Sequence, residues 1–360
     1  MKKVRQTNIE LLRIIAMIMV LILHADYFSL GAPTLFDISE RPMTSIVRIV
    51  IESMSIVAVN AFVLISGWFG IHPTLRRFSS FMFQVVFFVI AGSAIAMLFG
   101  DYGARPLGGW LLLLLGWNYW FVQAYIILYL FSPILNVFIE NVSKQQLLKF
   151  IIFFYAMQTI YGWYLGDGGY FQRGYSPLSM MGLYLLARYI RIYGDSFKRL
   201  NWFVCFCLYL IVSILIAVLE FSRLQRDVEW YILEYSNPLV IVSSVCLFLS
   251  FARMELNYSK VINYISVSSF AAYLFHFHED ILYRYYMKFI NHWFETNDFL
   301  HFFIYTGFWI ILIFVSAVCI DQIRIVIWAL IDKITKCHFL LKIKGENVEV
   351  ARMFPKQLWK

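Results

Sequence analysis

Near its start the chain reads Asn8-Ile9-Glu10-Leu11-Leu12-Arg13, then ten apolar residues, then His24-Ala25-Asp26. Arg13 and His24 are eleven positions apart. On a helix that is three turns plus roughly 20°, with about 16 Å between them along the axis, so both project from one face. Histidine is the side chain best suited to proton transfer near neutral pH. Arginine is a fixed cation that suits an anionic group. Glu10, one turn before Arg13, shares its face and can pair with it. An ionisable residue inside an apolar span costs about 2.5–3.5 kcal/mol on insertion scales and marks a functional site by default. An arginine snorkelling to headgroups would explain Arg13 alone. It does not explain a histidine three turns along the same stripe.

Further polar residues follow. The second apolar stretch carries Glu52 and Asn60 and ends in Ser66-Gly67-Trp68-Phe69-Gly70. Ser66 and Gly67 suit either close helix packing or a cavity wall. Arg76 and Arg77 come next, either as topogenic charge or as a phosphate clamp. Late in the chain stands Tyr273-Leu274-Phe275-His276-Phe277-His278-Glu279-Asp280. As one helix it puts His276, Glu279 and Asp280 on one face, continued by Tyr273 and Tyr283. His278 points elsewhere, because i and i+2 residues do not converge on a helix. No metal site is therefore expected. The run Trp117-Asn118-Tyr119-Trp120-Phe121 reads as an interfacial aromatic belt. Stacking of a carbohydrate on it is not separable by spacing. Glu220 and Asp321 fall near span ends and read as interfacial.

These groups must be held in a bilayer. The 360 residues are 61% hydrophobic and 14% charged, against roughly 45–50% and about 25% for soluble proteins. That excludes a water-soluble enzyme and a disordered chain. A span needs about 20 mostly apolar residues. Ten are expected, near 9–30, 46–71, 79–99, 118–139, 147–165, 177–193, 201–221, 237–253, 262–286 and 301–323. The segment 107–116 reads as a re-entrant or interfacial piece. Net charge is +8, and its placement argues for membrane topology rather than a nucleic-acid partner. With the N-terminus inside, 21 Lys and Arg fall inside and six outside. Both termini are thus expected in the cytoplasm. The expected organisation is an all-α polytopic membrane domain over 1–332 and a basic tail over 333–360 lying on the inner membrane surface. The first helix shows no cleavage site and is expected to stay. The five cysteines include no CxxC spacing, so neither disulfides nor zinc are indicated.

Taken together, these residues resemble the bacterial membrane acyltransferase-3 family. Arg13 and His24 match its Arg-x10-His signature in the first helix, and Glu10 to Arg13 is similar to its helix start. Ser66-Gly67 matches its Ser-Gly element. Trp120-Phe121 through Tyr129-Leu130 and Pro133 resembles its fourth-helix pattern, and Tyr273-Leu274-Phe275-His276 its late Tyr-Leu-x-His element. The family often has two arginines three apart in the first inside loop. Here Arg76 and Arg77 are adjacent. The soluble esterase-like domain of some members is not seen in this sequence.

The resemblance implies an inner-membrane O-acyltransferase that moves an acetyl or other short acyl group from acyl-CoA to a surface or lipid-linked carbohydrate. Acetyl-CoA would be the donor, with no metal, and membrane lipids would surround the site. His24 would be general base or acyl relay, with Arg13 oriented by Glu10. Arg13, Arg76 and Arg77 would hold the anionic cofactor. Ser66, Tyr273, His276 and Glu279 would line the cavity or bind the acceptor. The rival expectation is a transporter of a lipid-linked sugar or small solute. The missing internal repeat and the lack of Gly/Pro-broken helices stand against it.

Overall fold

The structure, a computed structural model, describes residues 5–98, 109, 115–116, 118–166, 169–194, 201–226 and 231–353, with side chains to 335. The expected re-entrant piece at 107–116 lies outside the described residues except for 109, 115 and 116, as does Trp117. Among the described residues there is no strand. The main helices are α1 Thr7–Ala25, α2 Pro42–Ser55, α3 Ala58–Phe69, α4 Leu75–Leu98, α5 Trp120–Asn141, α6 Lys144–Thr159, α7 Pro177–Tyr193, α8 Trp202–Arg226, α9 Pro238–Arg253, α10 Lys260–His276, α11 Met287–Thr296 and α12 Phe299–Met353.

Local sequence writes several helix starts. Ser143 and Gln146 form a reciprocal capping box at α6, which satisfies two orphan donors. Ser176 and Asn237 cap α7 and α9, each followed by a proline at the first helical position, where the missing N–H costs nothing. Ser259 caps α10.

Among the described residues six segments are long and apolar enough to cross a membrane: Thr7–Leu30, Pro42–Phe69, Leu75–Leu98, Trp120–Asn141, Trp202–Arg226 and Phe299–Thr335. The other four expected spans correspond to shorter elements. Of these, α7 and α10 have 17 residues and α9 has 16. The fourth, α6, continues as a π-helical turn, Ile160–Tyr164. The last span does not stop near 323, because no glycine or proline interrupts the sequence between Gly307 and Gly345.

Residues Met1–Val318 form one compact unit and Cys319–Lys360 another. In the first, α1 packs against α2, α3, α9 and α10, while α7 packs on α3, α5 and α6. The apolar stretch of α2–α3 is 72% buried, against 28% for α5 and for α8, so α2–α3 is interior and the other two are peripheral. A Cβ on Gly67 would stand 2.7 Å from both the Ala187 Cβ and the Tyr184 carbonyl. Glycine is what lets α3 meet α7 so closely.

In the second unit, Arg324 donates two hydrogen bonds to Asp321, each 2.8 Å. Arg223 does the same to Glu220 on α8. Both carboxylates are buried. They are buried pairs rather than interfacial charges, because each has an arginine three residues on that reaches back along its own helix.

Candidate functional site

Helices α1 and α10 run parallel and are registered at both ends. At their starts the Asn263 Nδ2 and the Ser259 N–H both donate to Thr7 Oγ1, at 3.1 and 3.2 Å. Small buried residues, Ala16 on α1 and Ser268, Ser269, Ala271 and Ala272 on α10, allow close packing between. At their far ends His24 Nδ1 lies 2.7 Å from His276 Nε2.

That contact fixes the proton positions. His276 Nδ1 lies 2.6 Å from the Ala272 carbonyl, which can only accept. The Nδ1 proton therefore sits on His276, and in the neutral ring its Nε2 is an acceptor. His24 must then donate from Nδ1, and its own Nε2 keeps the lone pair. His276 orients His24 much as a carboxylate or carbonyl orients the histidine of a catalytic triad.

A narrow crevice of about 20 Å³ opens beside His24. Its walls are mostly apolar and include Val59, Phe62, Trp120, Phe121, Tyr235 and Tyr273. The Phe277 ring centroid is 4.8 Å from that of His24, and the Tyr273 ring is 6.4 Å away. The end of α1 is held from the other side. Arg48 on α2 donates to Asp26 and to the Gly31 carbonyl, and Ser29 donates to the His24 carbonyl. Arg48 and Asp26 are buried, so each charge has the partner that burial demands.

Lower on α1, Arg13 pairs with Glu10 at 3.7 Å, and Arg5 reaches the same oxygen at 3.7 Å. Arg13 lies within electrostatic reach of Tyr125, whose hydroxyl is 3.3 Å from Ser66 Oγ. Glu10, Arg13 and Ser66 thus gather toward the N-terminal end of α1, about three turns from His24.

Arg76 and Arg77 open α4 and are exposed. The connection before them is tightly pinned. The Ile71 N–H donates to Tyr184 Oη at 3.0 Å, Asn136 Nδ2 to the Ile71 carbonyl at 2.9 Å, and the Thr74 N–H to Tyr129 Oη at 2.8 Å. Arg77 donates to the His72 carbonyl at 3.0 Å. Arg188 on α7 joins this group: a Cβ on Gly70 would meet its Nη1 at 3.4 Å and His72 Nε2 at 3.6 Å. Sequence reasoning missed Arg188, having counted it only as topogenic charge.

The string from Tyr273 to Asp280 is not one helix, which corrects the expectation that His276, Glu279 and Asp280 share a face. Helix α10 stops at His276, and a separate turn spans Glu279–Ile281. His278 is folded back beneath α4. A Cβ on Gly92 would stand 2.7 Å from its ring, and Ser93 Oγ is 3.2 Å from Nε2. Glu279 accepts from Asn118 Nδ2 at 3.1 Å in an exposed position, away from the histidine pair. The pairing of Arg48 with Asp26 was also missed. Its only sequence signal was an arginine inside an apolar span.

A family model described as an acyltransferase domain matches residues 6–318. Searches of curated proteins and of solved structures return no match. The matched stretch contains α1, α10 and every residue gathered around the histidine pair, and it covers most of the chain. The chain belongs to the acyltransferase-3 family.

Proposed function

We propose that this membrane acyltransferase moves an acetyl or other short acyl group from acyl-CoA to a hydroxyl of a surface or lipid-linked carbohydrate. The observation that carries the proposal is the tautomer fixed by the His24–His276–Ala272 chain. It leaves His24 Nε2 unprotonated beside a narrow cavity. In the general-base route, Nε2 takes the acceptor hydroxyl proton as that oxygen attacks the thioester carbonyl. The tetrahedral intermediate then collapses to the ester, and the departing CoA thiolate receives the proton from the imidazolium. In the relay route, Nε2 attacks the thioester carbonyl and expels the CoA thiolate; the acceptor hydroxyl then attacks the acyl-imidazolium, Nε2 regains its lone pair, and the hydroxyl proton is taken up by the thiolate. The first route needs no covalent intermediate, and His276 stabilises the cationic ring in both.

Arg76, Arg77 and Arg188, with His72, form the cationic end where the phosphates of CoA would sit. Arg13, oriented by Glu10, would lie along the path from there to His24. The distribution of basic residues supports cytoplasmic termini in an inner membrane, which would put Arg76 and Arg77 on the side where acyl-CoA is made. Ser66 and Tyr273 line that path, with Tyr273 at the His24 cavity.

The test is purified protein with acetyl-CoA labelled on the acetyl carbon, following CoA release and label on added membrane glycan. His24→Ala should lose about 10²–10⁴-fold in transfer while still binding acetyl-CoA. Equal transfer by the variant would remove the catalytic assignment. A folded protein that neither binds nor turns over acetyl-CoA would move the weight to a transporter.

A further inference from the structure

Two connections meet beside the His24 cavity, and neither takes part in the chemistry above. One is the turn Phe171–Ser176 ahead of α7; the other is Tyr231–Asn237 ahead of α9. They are stapled together. The Ser236 N–H donates to the Arg173 carbonyl at 3.2 Å, and Arg173 Nη1 lies 3.6 Å from Glu234 Oε1. The Arg173 guanidinium also lies 3.4 Å from the Tyr231 ring centroid. A Cβ on Gly174 would stand 2.4 Å from the Tyr235 Cβ, and Gly174 has φ +98. Gln172 and Arg173 are held at φ 47 and 51. Non-glycine residues rarely adopt that region, and surrounding structure must enforce it. Asn60 on α3 donates to the Tyr235 carbonyl at 3.1 Å and Trp163 to the Tyr231 carbonyl at 2.7 Å, which pins the platform inward.

The platform presents three rings and one ion pair. Trp120 and Tyr175 have centroids 4.6 Å apart, Tyr175 and Tyr235 4.7 Å, and Trp120 and Tyr235 5.9 Å. Trp120 and Tyr235 are shared with the wall of the His24 cavity, while Tyr175 is 38% exposed. An interfacial belt would spread its rings around the lipid-facing perimeter. Here they pack on each other around a charged pair. Glu234 Oε2 is buried and has no hydrogen-bond partner among the described residues. Burial pushes the Glu234 carboxyl up to about 7, against the pull of Arg173. A buried carboxyl oxygen without a partner is costly, and a hydroxyl donor relieves that cost.

We infer that Trp120, Tyr175, Tyr235, Arg173 and Glu234 form a subsite for a neutral sugar ring, which holds the acceptor with one hydroxyl toward His24. This rests on the proposed transfer to carbohydrate and adds the place and chemistry of acceptor recognition. The apolar face of a pyranose stacks on aromatic rings, and its neighbouring hydroxyls match one acceptor and one donor side by side. The opposite charges of Arg173 and Glu234 offset each other, so the subsite favours a neutral ring over a phosphate or an acidic sugar.

The experiment uses the full chain in detergent and saturation-transfer NMR with methyl glycosides of N-acetylglucosamine, galactose and rhamnose. Acetyl-CoA binding is measured in parallel on the same samples. At least one glycoside should receive saturation, and Tyr175→Ala and Glu234→Gln should each weaken it about tenfold. Tyr175→Phe should retain it, which separates stacking from loss of fold. Acetyl-CoA binding should be unchanged in all three variants. Glycoside binding that is absent, or equal in wild type, Tyr175→Ala and Glu234→Gln, overturns the subsite. If acetyl-CoA still binds, the transferase proposal stands without it. Glycoside binding that depends on Tyr175 and Glu234 in a protein blind to acetyl-CoA supports the subsite and overturns the transferase proposal instead.

Discussion

Glu234 carries its carboxyl at about 7 rather than the ordinary 4.5, chiefly through burial. The folded state therefore holds its proton where the unfolded chain has released it. Linkage then gives the sign: stability contributed by this group is present below about 4.5 and is lost as pH rises to about 7. Arg173 faces the carboxyl from the neighbouring turn and Tyr231 packs on Arg173, so both connections feel the change. Thermal unfolding between pH 4 and 8 should show a fall in midpoint for wild type that is smaller in Glu234→Gln. Identical slopes would mean that Glu234 titrates alike in both states. Among residues, Glu10, Arg13 and His24 were legible because a helix converts their spacing directly into a shared face. His276 was legible as a polar residue in an apolar run and as the end of the Tyr-Leu-x-His element, but not as the partner of His24. Its partner lies 252 positions away, and no local pattern encodes such a pairing. Glu234 and Arg173 left no signal, since a charge in a loop is unremarkable until burial is known.

Helices were readable from apolar runs, and their starts from Ser-Pro, Asn-Pro and the Ser143–Gln146 box. Their ends were harder. Nothing between Tyr273 and Tyr286 is glycine or proline, so periodicity carried the ninth span straight through. The break after His276 is tertiary: His278 is recruited under Gly92 and Ser93, and that contact outweighs continued helix. Close helix approach also sets a limit that can be measured. Gly67 has no space for a methyl group against Ala187 and Tyr184. Gly67→Ala should cost about 1–3 kcal/mol through overpacking, read as a lowered unfolding midpoint. Because Tyr184 also holds Ile71 and Asn136, the variant should weaken acetyl-CoA binding too. A midpoint at or above that of wild type would show that α3 and α7 separate freely.

For the whole molecule, composition alone established a polytopic helical membrane protein, while the number of crossings did not follow from it. Helices α7, α9 and α10, with 16 or 17 residues, extend only about 24–26 Å, short of a hydrocarbon core of about 30 Å. Length alone therefore does not mark them as crossings, although α10 bears one of the paired histidines. Topology remains open to a direct check. Single cysteines placed at each terminus of a cysteine-free variant should react with a membrane-impermeant maleimide only after the cells are opened. Labelling of either terminus in intact cells would reverse the assignment drawn from the basic residues.

The His24–His276 contact joins the first helix of the chain to one of the last. A ribosome feeding this protein into a membrane releases His24 early, and its orienting partner emerges only when more than three-quarters of the sequence has been made. Until then Thr7 also lacks Ser259 and Asn263, so nothing from α10 holds the start of α1 in place. Under the proposed mechanism this order of synthesis would act as a safeguard: a prematurely terminated chain would carry His24 without the partner that orients it, and incomplete copies would not consume thioester.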